Sequence, residues 1–520
     1  MDHTNDGFRW PALRGPWERI TPSFRLAFFA ACLVGFLTHL YLLTNLLPNH
    51  DSIHSTFTNN DVLSSGRWSA QLLSSFSTYF QLPVVIGLIS ILALAVTAGL
   101  TVRILGLSHP VHIVLAAGLL VTFPSISAIF SYLFTADAYF LALMLNALGV
   151  FCAKRYRWGW LAAVLLLAVA CGTYQAFICY AIGLFLLDCV LMLLEGEALD
   201  RTVKKGLGYI AVCGGALILY YAVMKLLLLV THTQLVDYQG MNQMSLGNIL
   251  LFLGQIPRAY LVFFKHFLAP GYLNGFYRLV QLLCCVFLVC AGLRLAAARG
   301  LFRDPPRLLL TAAGLALVPL ALDFVAVLTV GGEVHQLMIY AFVLAFLLAI
   351  KVSELLAESL VRAGRPAWRG VFGAGLVLSA LLVWCGFYTN NVSYLRLQVR
   401  YENSIAVANR IAGRVESLEG YTPQTPVALV GSLPDGLYGT GIPALFDPHP
   451  LTGTDSRSLL SYYSARDLLE HYAALRMPGF TDEQWQSVYG SDLIYEMPCW
   501  PEAGSVILYN GVAVVKLGEP

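Results

Sequence analysis

The chain has 520 residues, of which 58% are hydrophobic and 12% charged, and its formal net charge is +2 at pH 7. Soluble domains are about 45–50% apolar and about 25% charged, so this composition indicates a polytopic membrane protein. No nucleic-acid partner is expected, because such a partner requires a basic face. Ten of the eleven cysteines fall in apolar runs and only Cys499 lies in a polar region, so we expect no disulfide framework and no cysteine metal site.

Apolar runs along the chain predict about eleven transmembrane helices, since about twenty apolar residues cross a bilayer. A polar N-terminal segment, residues 1–23, precedes the first run. The predicted spans are 24–46, 83–102, 111–130, 138–153, 159–172, 176–194, 207–230, 277–295, 308–330, 337–350 and 371–388.

Basic residues concentrate in alternate loops between these spans. They are Arg103; Lys154, Arg155 and Arg157; Arg201, Lys204 and Lys205; Arg299, Arg303 and Arg307; and Lys351, Arg362, Arg365 and Arg369. The opposite loops hold almost none apart from Arg67, Arg258 and Lys265. The positive-inside rule therefore predicts a cytoplasmic N-terminus, and it places the loop 47–82 and the C-terminal tail outside.

The segment 246–268 is apolar enough to span a bilayer but contains Gln255, Pro257, Arg258, Lys265 and His266. Counting it as a span would move the basic loop at 299–307 to the outer side. We therefore predict an interfacial or re-entrant element on the outer face.

The stretch 48–68 is a polar island between two spans, and we interpret it as an extracytoplasmic active-site loop. Its ionisable residues are His50, Asp51, His54, Asp61 and Arg67. Apolar residues recur at helical spacing from Trp68 to Phe80, which predicts an amphipathic helix in the interface plane.

Three carboxylates on the predicted outer side are candidate catalytic groups, because an ionised side chain in the hydrocarbon region costs about 2.5–3.5 kcal/mol on insertion scales. They are Asp51, Asp137 and Asp61. Each has a plainer interpretation: Asp51 as a loop carboxylate or helix cap, Asp137 as the N-cap of a span, and Asp61 as the cap of the interfacial helix. Asp323 lies deeper in a span, and its plainer interpretation is that it pairs with a neighbouring polar group.

The outer cations Arg67, Arg258 and Lys265 are candidates for binding a phosphate, although Lys265 could equally snorkel to lipid headgroups. The candidates for substrate contact are His50, Tyr174, Gln175 and His335. Gln175 could bind a sugar hydroxyl or simply tie two helices together. The four-residue spacing of His50 and His54 would suit a metal pair, but solvated histidines are the preferred interpretation, and no cofactor or metal is indicated.

No glycine-rich phosphate loop or nucleotide-binding domain occurs in the sequence. A soluble nucleotide-sugar donor is therefore not expected, and a donor already in the membrane fits better.

The tail 391–520 is polar and predicts a small extracytoplasmic α/β domain after the transmembrane part, 24–390. We expect an amphipathic helix near 395–415, a strand at Val427–Val430, a helix around 465–475 and a hairpin in SVILYNGVAVVKL. Asn510 and Gly511 supply the residues that a tight hairpin turn requires.

The order of several motifs resembles one known family. NHDSIHS, SGRW, LPVVIGLISILAL, FTADAYFLALML and GTYQAF are followed by NNVSYLRLQVRYENSIAVANRIAGRV and PVALVG. This order, from residue 38 to about 432, is similar to that of the serotype-converting O-antigen glucosyltransferases, the GtrII-like family. The resemblance implies a GT-C-type fold in a bacterial cytoplasmic membrane.

The resemblance also implies a reaction: a hexose, expected to be glucose, moves from a polyprenyl-phosphate donor to a lipid-linked or cell-surface glycan outside the membrane. Many members carry two adjacent acids where this chain has His50 and Asp51. The resemblance therefore implies that Asp51 is the catalytic base and leaves a partner role to Asp61 or Asp137. The alternatives are a transporter or flippase of a lipid-linked sugar, and a glycan polymerase or ligase.

Overall fold

A computed structural model describes residues 20–57, 62–77, 80–236, 249–330, 332–434, 451–454, 458–461 and 464–519. Asp61 lies outside these described residues. The described residues up to 231 contain ten α-helices: α1 (Pro22–Thr44), α2 (His50–Phe57), α3 (Ala70–Leu73), α4 (Pro83–Leu105), α5 (Pro110–Thr122), α6 (Ser125–Phe130), α7 (Leu133–Arg155), α8 (Gly159–Thr173), α9 (Ile178–Glu195) and α10 (Leu199–Thr231).

Further helices follow: α11 (Ile249–Gly254), α12 (Ile256–Leu268), α13 (Gly275–Ala298), α14 (Pro305–Ala316), α15 (Val318–Leu322), α16 (Phe324–Leu328), α17 (Val343–Arg362) and α18 (Trp368–Glu416). The C-terminal region contains β1 (Val427–Val430), α19 (Ser464–Asp467), α20 (Asp482–Tyr489), α21 (Leu493–Glu496), β2 (Val506–Tyr509) and β3 (Val512–Lys516). Single 3-10 turns occur at Ser74–Phe76, Gln175–Phe177, Leu301–Arg303, Gln336–Met338 and Tyr340–Phe342, and a π turn at Leu468–Tyr472.

Within the described residues, ten helical segments are long and apolar enough to cross a bilayer, and α8 is a shorter eleventh candidate. The prediction of a polytopic helical protein with a small strand-containing C-terminal region is therefore confirmed. The segment Tyr340–Arg362, which contains α17, is the central helix, since its most apolar window is 100% buried, against 28% for α10. Because α17 is apolar and surrounded by protein, it forms the core of the bundle.

Close approach of two helices explains one glycine of α18. A Cβ added at Gly386 would lie 2.3 Å from the backbone oxygen of Thr122 at the end of α5. Only a residue without a side chain allows this contact, as in other tightly packed membrane helices.

The span predicted at 308–330 is not one continuous helix. It is divided into α14, α15 and α16, with breaks at Leu317 and Asp323. Pro319 stands in the first turn of α15, where its missing N–H removes a hydrogen bond that a continuous helix would need. Hydropathy did not predict this interruption, because the segment is apolar on both sides of the breaks.

The described part of the segment 246–268, from residue 249 onward, forms α11 and α12, which meet at Gln255. The thirteen residues of α12 are about 20 Å long, less than the roughly 30 Å of a bilayer core. Neither helix alone is long enough to cross a membrane. The interfacial or re-entrant placement of the segment remains a prediction.

Buried charges tie helix ends together at one end of the bundle. Asp188 of α9 accepts hydrogen bonds from Lys154 Nζ at 2.5 Å and from the Tyr209 hydroxyl at 2.7 Å, and it pairs with Lys205 Nζ at 2.9 Å. Its side chain is 4% exposed. One carboxylate thus joins α7, α9 and α10.

Replacement of Asp188 by Asn is expected to destabilise the protein by about 2 kcal/mol or more, because two partly buried ammonium groups lose their counter-charge. Thermal unfolding in detergent would measure the loss. Asp200→Asn is the matched control, since Asp200 pairs with Lys204 at 3.5 Å on the exposed surface, where a pair contributes less than about 1 kcal/mol. Equal effects of the two substitutions would contradict the prediction.

The span predicted at 371–388 and the amphipathic helix predicted near 395–415 are one continuous helix. Helix α18 contains 49 residues and runs through the predicted domain boundary at 390/391. Neither proline nor glycine occurs between Phe387 and Arg400, so nothing in the backbone chemistry ends the helix there.

A three-stranded sheet forms the centre of the C-terminal region, with the strand order β1-β3-β2. Strand β3 pairs in parallel with β1 and antiparallel with β2. The predicted hairpin is present, and Asn510 (φ 49°) and Gly511 (φ 76°) provide its left-handed turn residues.

Candidate active site

Helix α2 presents Asp51 at the start of the polar stretch. This stretch was predicted as a loop, but residues His50–Phe57 are helical, and the side chain of Asn49 accepts a hydrogen bond from the Ser52 N–H at 2.8 Å. A carboxylate in the first helical turn is stabilised by the helix dipole. The Asp51 side chain is 38% exposed and lies 3.7 Å from His50 Nε2. It is therefore an acid that a substrate can reach.

Contacts with the C-terminal region hold α2 in place. Ile53 is buried in the same apolar cluster as Leu468. His54 Nδ1 lies 2.7 Å from Asp467 Oδ2, and Phe57 stacks on His471 with centroids 3.7 Å apart. His54 was expected to be solvated, but its ring joins α2 to α19. Among the described residues, no group of three potential ligands could hold a metal ion.

Asp137 is fully buried in the second turn of α7. The N-cap of that helix is Tyr132, so the interpretation of Asp137 as an N-cap is wrong. One of its carboxyl oxygens accepts the Ala138 N–H at 2.8 Å, and Ser77 lies beside it. Asp137 therefore faces the segment that follows Arg67.

That segment consists of short helical turns where a continuous amphipathic helix was predicted. The hydroxyls of Ser74, Ser75 and Ser77 bond to backbone carbonyls three or four residues earlier, a local alternative that competes with helix propagation. Leu72 and Phe76 remain exposed, as expected at a lipid interface.

Gln81, at the end of the same segment, donates from Nε2 to the Ser52 carbonyl and to the Thr56 hydroxyl of α2. With Ser77 beside Asp137, this segment connects the surroundings of Asp137 to α2. The structure thus brings α2 and the first turns of α7 into one neighbourhood.

Arg67 contacts two tyrosines, Tyr139 and Tyr174. Its Nη1 donates to the Tyr139 hydroxyl at 3.2 Å, and its guanidinium carbon lies 5.0 Å from the centroid of the Tyr174 ring. The two tyrosine rings stack at 4.6 Å. These contacts bring together two of the predicted site residues, Arg67 and Tyr174. Asp137 stands two residues before Tyr139 on α7, and side chains at that spacing point to different faces of a helix.

Gln175 fixes the loop that carries Arg67. Its Nε2 donates to the Ser65 carbonyl at 3.2 Å and to the Tyr220 hydroxyl at 3.0 Å, and that hydroxyl donates to the Gly66 carbonyl at 3.2 Å. These contacts agree with the interpretation in which Gln175 ties chain segments together.

Arg258 and Lys265 belong to α12, which packs against α15 and α16. Arg258 Nη1 donates to the Thr329 carbonyl at 2.7 Å and Nη2 donates to the Gly332 carbonyl. Its guanidinium also lies near the buried carboxylate of Asp323. Arg258 thus supports the loop that leads to His335, whereas Lys265 is exposed on the surface.

His335 lies at the end of this loop. Burial lowers the pKa of His335 below its ordinary value, and the nearby carboxylate of Glu333 opposes that shift. The neighbouring Gln336 accepts hydrogen bonds at Oε1 from the Thr452 N–H, 2.9 Å away, and from the Thr452 hydroxyl. The loop is therefore joined to the C-terminal region.

Arg400 was not identified from the sequence. It is 2% exposed on α18, and its Nη2 donates to the Pro48 carbonyl at 3.3 Å and to the Gly453 carbonyl at 3.1 Å. Arg400 therefore joins α18 both to the residues before α2 and to residues 451–454. Arg396 and Arg400, four residues apart on a helix, were the available signal, but they were assigned to an exposed amphipathic helix.

These features define a polytopic membrane protein with a polar site where its helical bundle meets a small α/β region. The family model described as "Glucosyl transferase GtrII" matches residues 40–346, which is more than half of the chain. The chain therefore belongs to the GtrII glucosyltransferase family, and the resemblance noted from its motifs is confirmed. Searches of curated proteins and of solved structures found no match.

The family match covers α2, Arg67, Asp137, Gln175 and the loop to His335. It ends before Arg400 and the C-terminal sheet. The family supports a glucosyltransferase activity, so this multi-pass membrane protein uses a sugar donor and an acceptor.

Proposed function

We propose that the protein transfers glucose from a polyprenyl-phosphate donor to a lipid-linked or cell-surface glycan on the outer face of the bacterial cytoplasmic membrane. One observation carries this proposal: Asp51 is 38% exposed at the junction between bundle and C-terminal region, whereas Asp137 and Asp323 are fully buried. Among the candidate acids in the described residues, Asp51 is thus the best placed to meet an acceptor hydroxyl. A membrane-bound donor fits because the sequence lacks a nucleotide-binding loop.

The proposed reaction is an inverting displacement. The acceptor hydroxyl oxygen attacks the anomeric carbon, the bond from that carbon to the phosphate oxygen breaks, and Asp51 takes the hydroxyl proton. The polyprenyl phosphate leaves as an anion and needs no general acid, so one carboxylate is sufficient. Arg67 stabilises the charge that develops on the phosphate.

The two tyrosines beside Arg67 support this role. Contacts with Tyr139 and Tyr174 restrict the guanidinium, so little freedom is lost when a phosphate binds. Asp137, on the same helix as Tyr139, positions the surrounding segment. Gln175 and Arg258 act as positioning residues, since their donors hold backbone carbonyls of the two loops. His50 and His335 remain proposed substrate contacts.

Transfer of label from a radiolabelled polyprenyl-phosphate glucose to a glycan acceptor, with purified protein, tests the proposal. Label in the acceptor supports it. Movement of the labelled lipid across a vesicle membrane without transfer would instead support a flippase, and transfer of a preassembled oligosaccharide in place of one hexose would support a polymerase or ligase.

The proposed orientation gives a separate prediction. A phosphatase reporter fused after Arg303 is expected to be inactive, because the basic loop 299–307 should be cytoplasmic. The same reporter fused after residue 519 is expected to be active outside the membrane. An active reporter after Arg303 would require the segment 246–268 to span the bilayer.

We also expect transfer to continue after treatment with EDTA. In the proposed reaction, Arg67 supplies positive charge to the leaving phosphate, as guanidinium groups do in other phosphate sites. Restoration of a lost activity by added Mg²⁺ or Mn²⁺, with the detergent and lipid unchanged, would show that a divalent cation is needed.

A further inference from the structure

A groove lies on the C-terminal region, and no residue of α2 lines it. Its volume is about 580 Å³, and it is bounded by the exposed face of α18 and by the segment 500–506. Arg410 and Arg414, one helical turn apart, bring two positive charges to one side. Trp500 forms part of the opposite wall.

The two guanidinium groups are held in place by this wall. Their central carbons lie 5.4 Å (Arg410) and 4.6 Å (Arg414) from the centroid of the Trp500 ring, and that tryptophan is only 3% exposed. Nη1 of Arg414 donates to the carbonyls of Pro501, at 3.0 Å, and Glu502, at 3.3 Å. An arginine stacked on an aromatic ring is already oriented and therefore loses little side-chain freedom when it binds a ligand.

The charge of Arg414 is available to a ligand. In the described part of the chain, it bonds to two carbonyls and an indole ring and to no carboxylate. The guanidinium of Arg414 presents a planar set of donors that matches the oxygens of a carboxylate or a phosphate, and Arg410 adds a second positive charge one turn away. The groove is therefore suited to an anionic group.

The length of α18 indicates where this anion comes from. Arg410 lies about 22 residues beyond the end of the apolar part of the helix at Tyr388, or about 33 Å along its axis. The headgroup region extends only about 5–8 Å beyond the hydrocarbon core on each side. Even a strongly tilted helix would keep Arg410 beyond the reach of lipid headgroups. A ligand attached to the membrane would have to extend far from it to reach the groove, as a glycan does.

We infer that this groove binds an acidic residue of the glycan acceptor, either a uronic acid carboxylate or a sugar phosphate. The inference rests on the proposed function, because it specifies the class of acceptor that the transferase uses. It assigns to the region beyond the family match a role in holding the acceptor while another part of the same glycan reaches Asp51.

Binding of oligosaccharides to the full-length protein in nanodiscs of neutral phosphatidylcholine tests the inference. The probes are tetragalacturonate, which carries carboxylates, and maltotetraose, which is neutral, with titration calorimetry as the measurement. Tetragalacturonate is expected to bind more tightly, and Arg414→Gln is expected to weaken its binding about tenfold, through loss of a charge-assisted bidentate contact. Arg410→Gln should weaken it in the same direction.

Arg476→Gln is the matched control, since it removes one exposed positive charge of the same region outside the groove. It should leave binding unchanged. Arg414→Lys keeps the charge and the contact with the ring, so an intermediate loss is expected even if Arg414→Gln unfolds the region. Equal binding of the two tetrasaccharides, or equal effects of Arg414→Lys and Arg476→Gln, would overturn the inference.

Replacing part of the phosphatidylcholine by phosphatidylglycerol tests the lipid alternative. Unchanged binding of tetragalacturonate supports a glycan site, whereas loss of that binding would assign the groove to lipid headgroups and overturn the inference. These measurements do not require sugar transfer. If the protein transfers glucose but does not bind tetragalacturonate in this way, glycan binding in the groove is refuted and the proposed function remains intact.

Discussion

Asp51→Asn is expected to lower the rate of glucose transfer by about 10²–10⁴-fold, the usual contribution of a general base. The substitution keeps the size of the side chain but removes its ability to accept a proton. Because the Asp51 side chain is partly exposed, expression and membrane insertion should remain normal. Label transfer by purified protein, compared at equal protein concentration, measures the effect.

Asp482→Asn provides the matched control. Asp482 is also an exposed acid in the first turn of a short helix, α20, so its replacement causes the same loss of charge at a helix start. This control should transfer at the rate of the unmodified protein. If Asp51→Asn also retains that rate, Asp51 is not the base.

Arg67→Gln is expected to lower the turnover number by about 10²–10³-fold, because the leaving phosphate loses its main source of positive charge. Arg67→Lys should recover only part of the activity, since an ammonium group lacks the planar set of donors of a guanidinium. The measurement is the rate of transfer at saturating donor.

The control for Arg67 is Arg157→Gln. Arg157 is exposed and also lies over an aromatic ring, 5.8 Å from the centroid of Trp158, but on a loop at the predicted cytoplasmic side. A normal rate is expected for this variant. Full activity of Arg67→Gln, or an equal loss in both variants, would remove Arg67 from the proposed phosphate site.

Much of the fold could be predicted from the sequence because the length and polarity of a membrane helix are constrained by the bilayer. The strand Val427–Val430 and the turn at Asn510 and Gly511 were predicted because their chemistry is local. The interruption at Asp323 and the continuity of α18 were not. A hydropathy pattern marks the apolar length of a segment. It does not show where a helix breaks inside an apolar run or continues into a polar one.

The candidate site was only partly predictable for the same reason. Polar residues in an apolar sequence drew attention to Asp51, Arg67 and Asp137, and the structure brings Arg67 together with Tyr174. Arg400 was not predicted because it lies in a polar region, where an arginine is expected on the surface and only the fold shows that it is buried. Likewise, Gln175 has contacts that only the fold defines.

Helix α18 fixes the distance between two parts of the protein, because it carries both Arg400, beside the start of α2, and Arg414, in the distal groove. A helix separates these two residues by about 21 Å. If the groove holds one unit of the acceptor, this rigid spacing acts as a ruler that sets how far from the anchored unit the glucose is added. Lengthening α18 by seven residues between them would then shift the branch point along the glycan by about 10 Å, leaving the chemistry of the attachment unchanged.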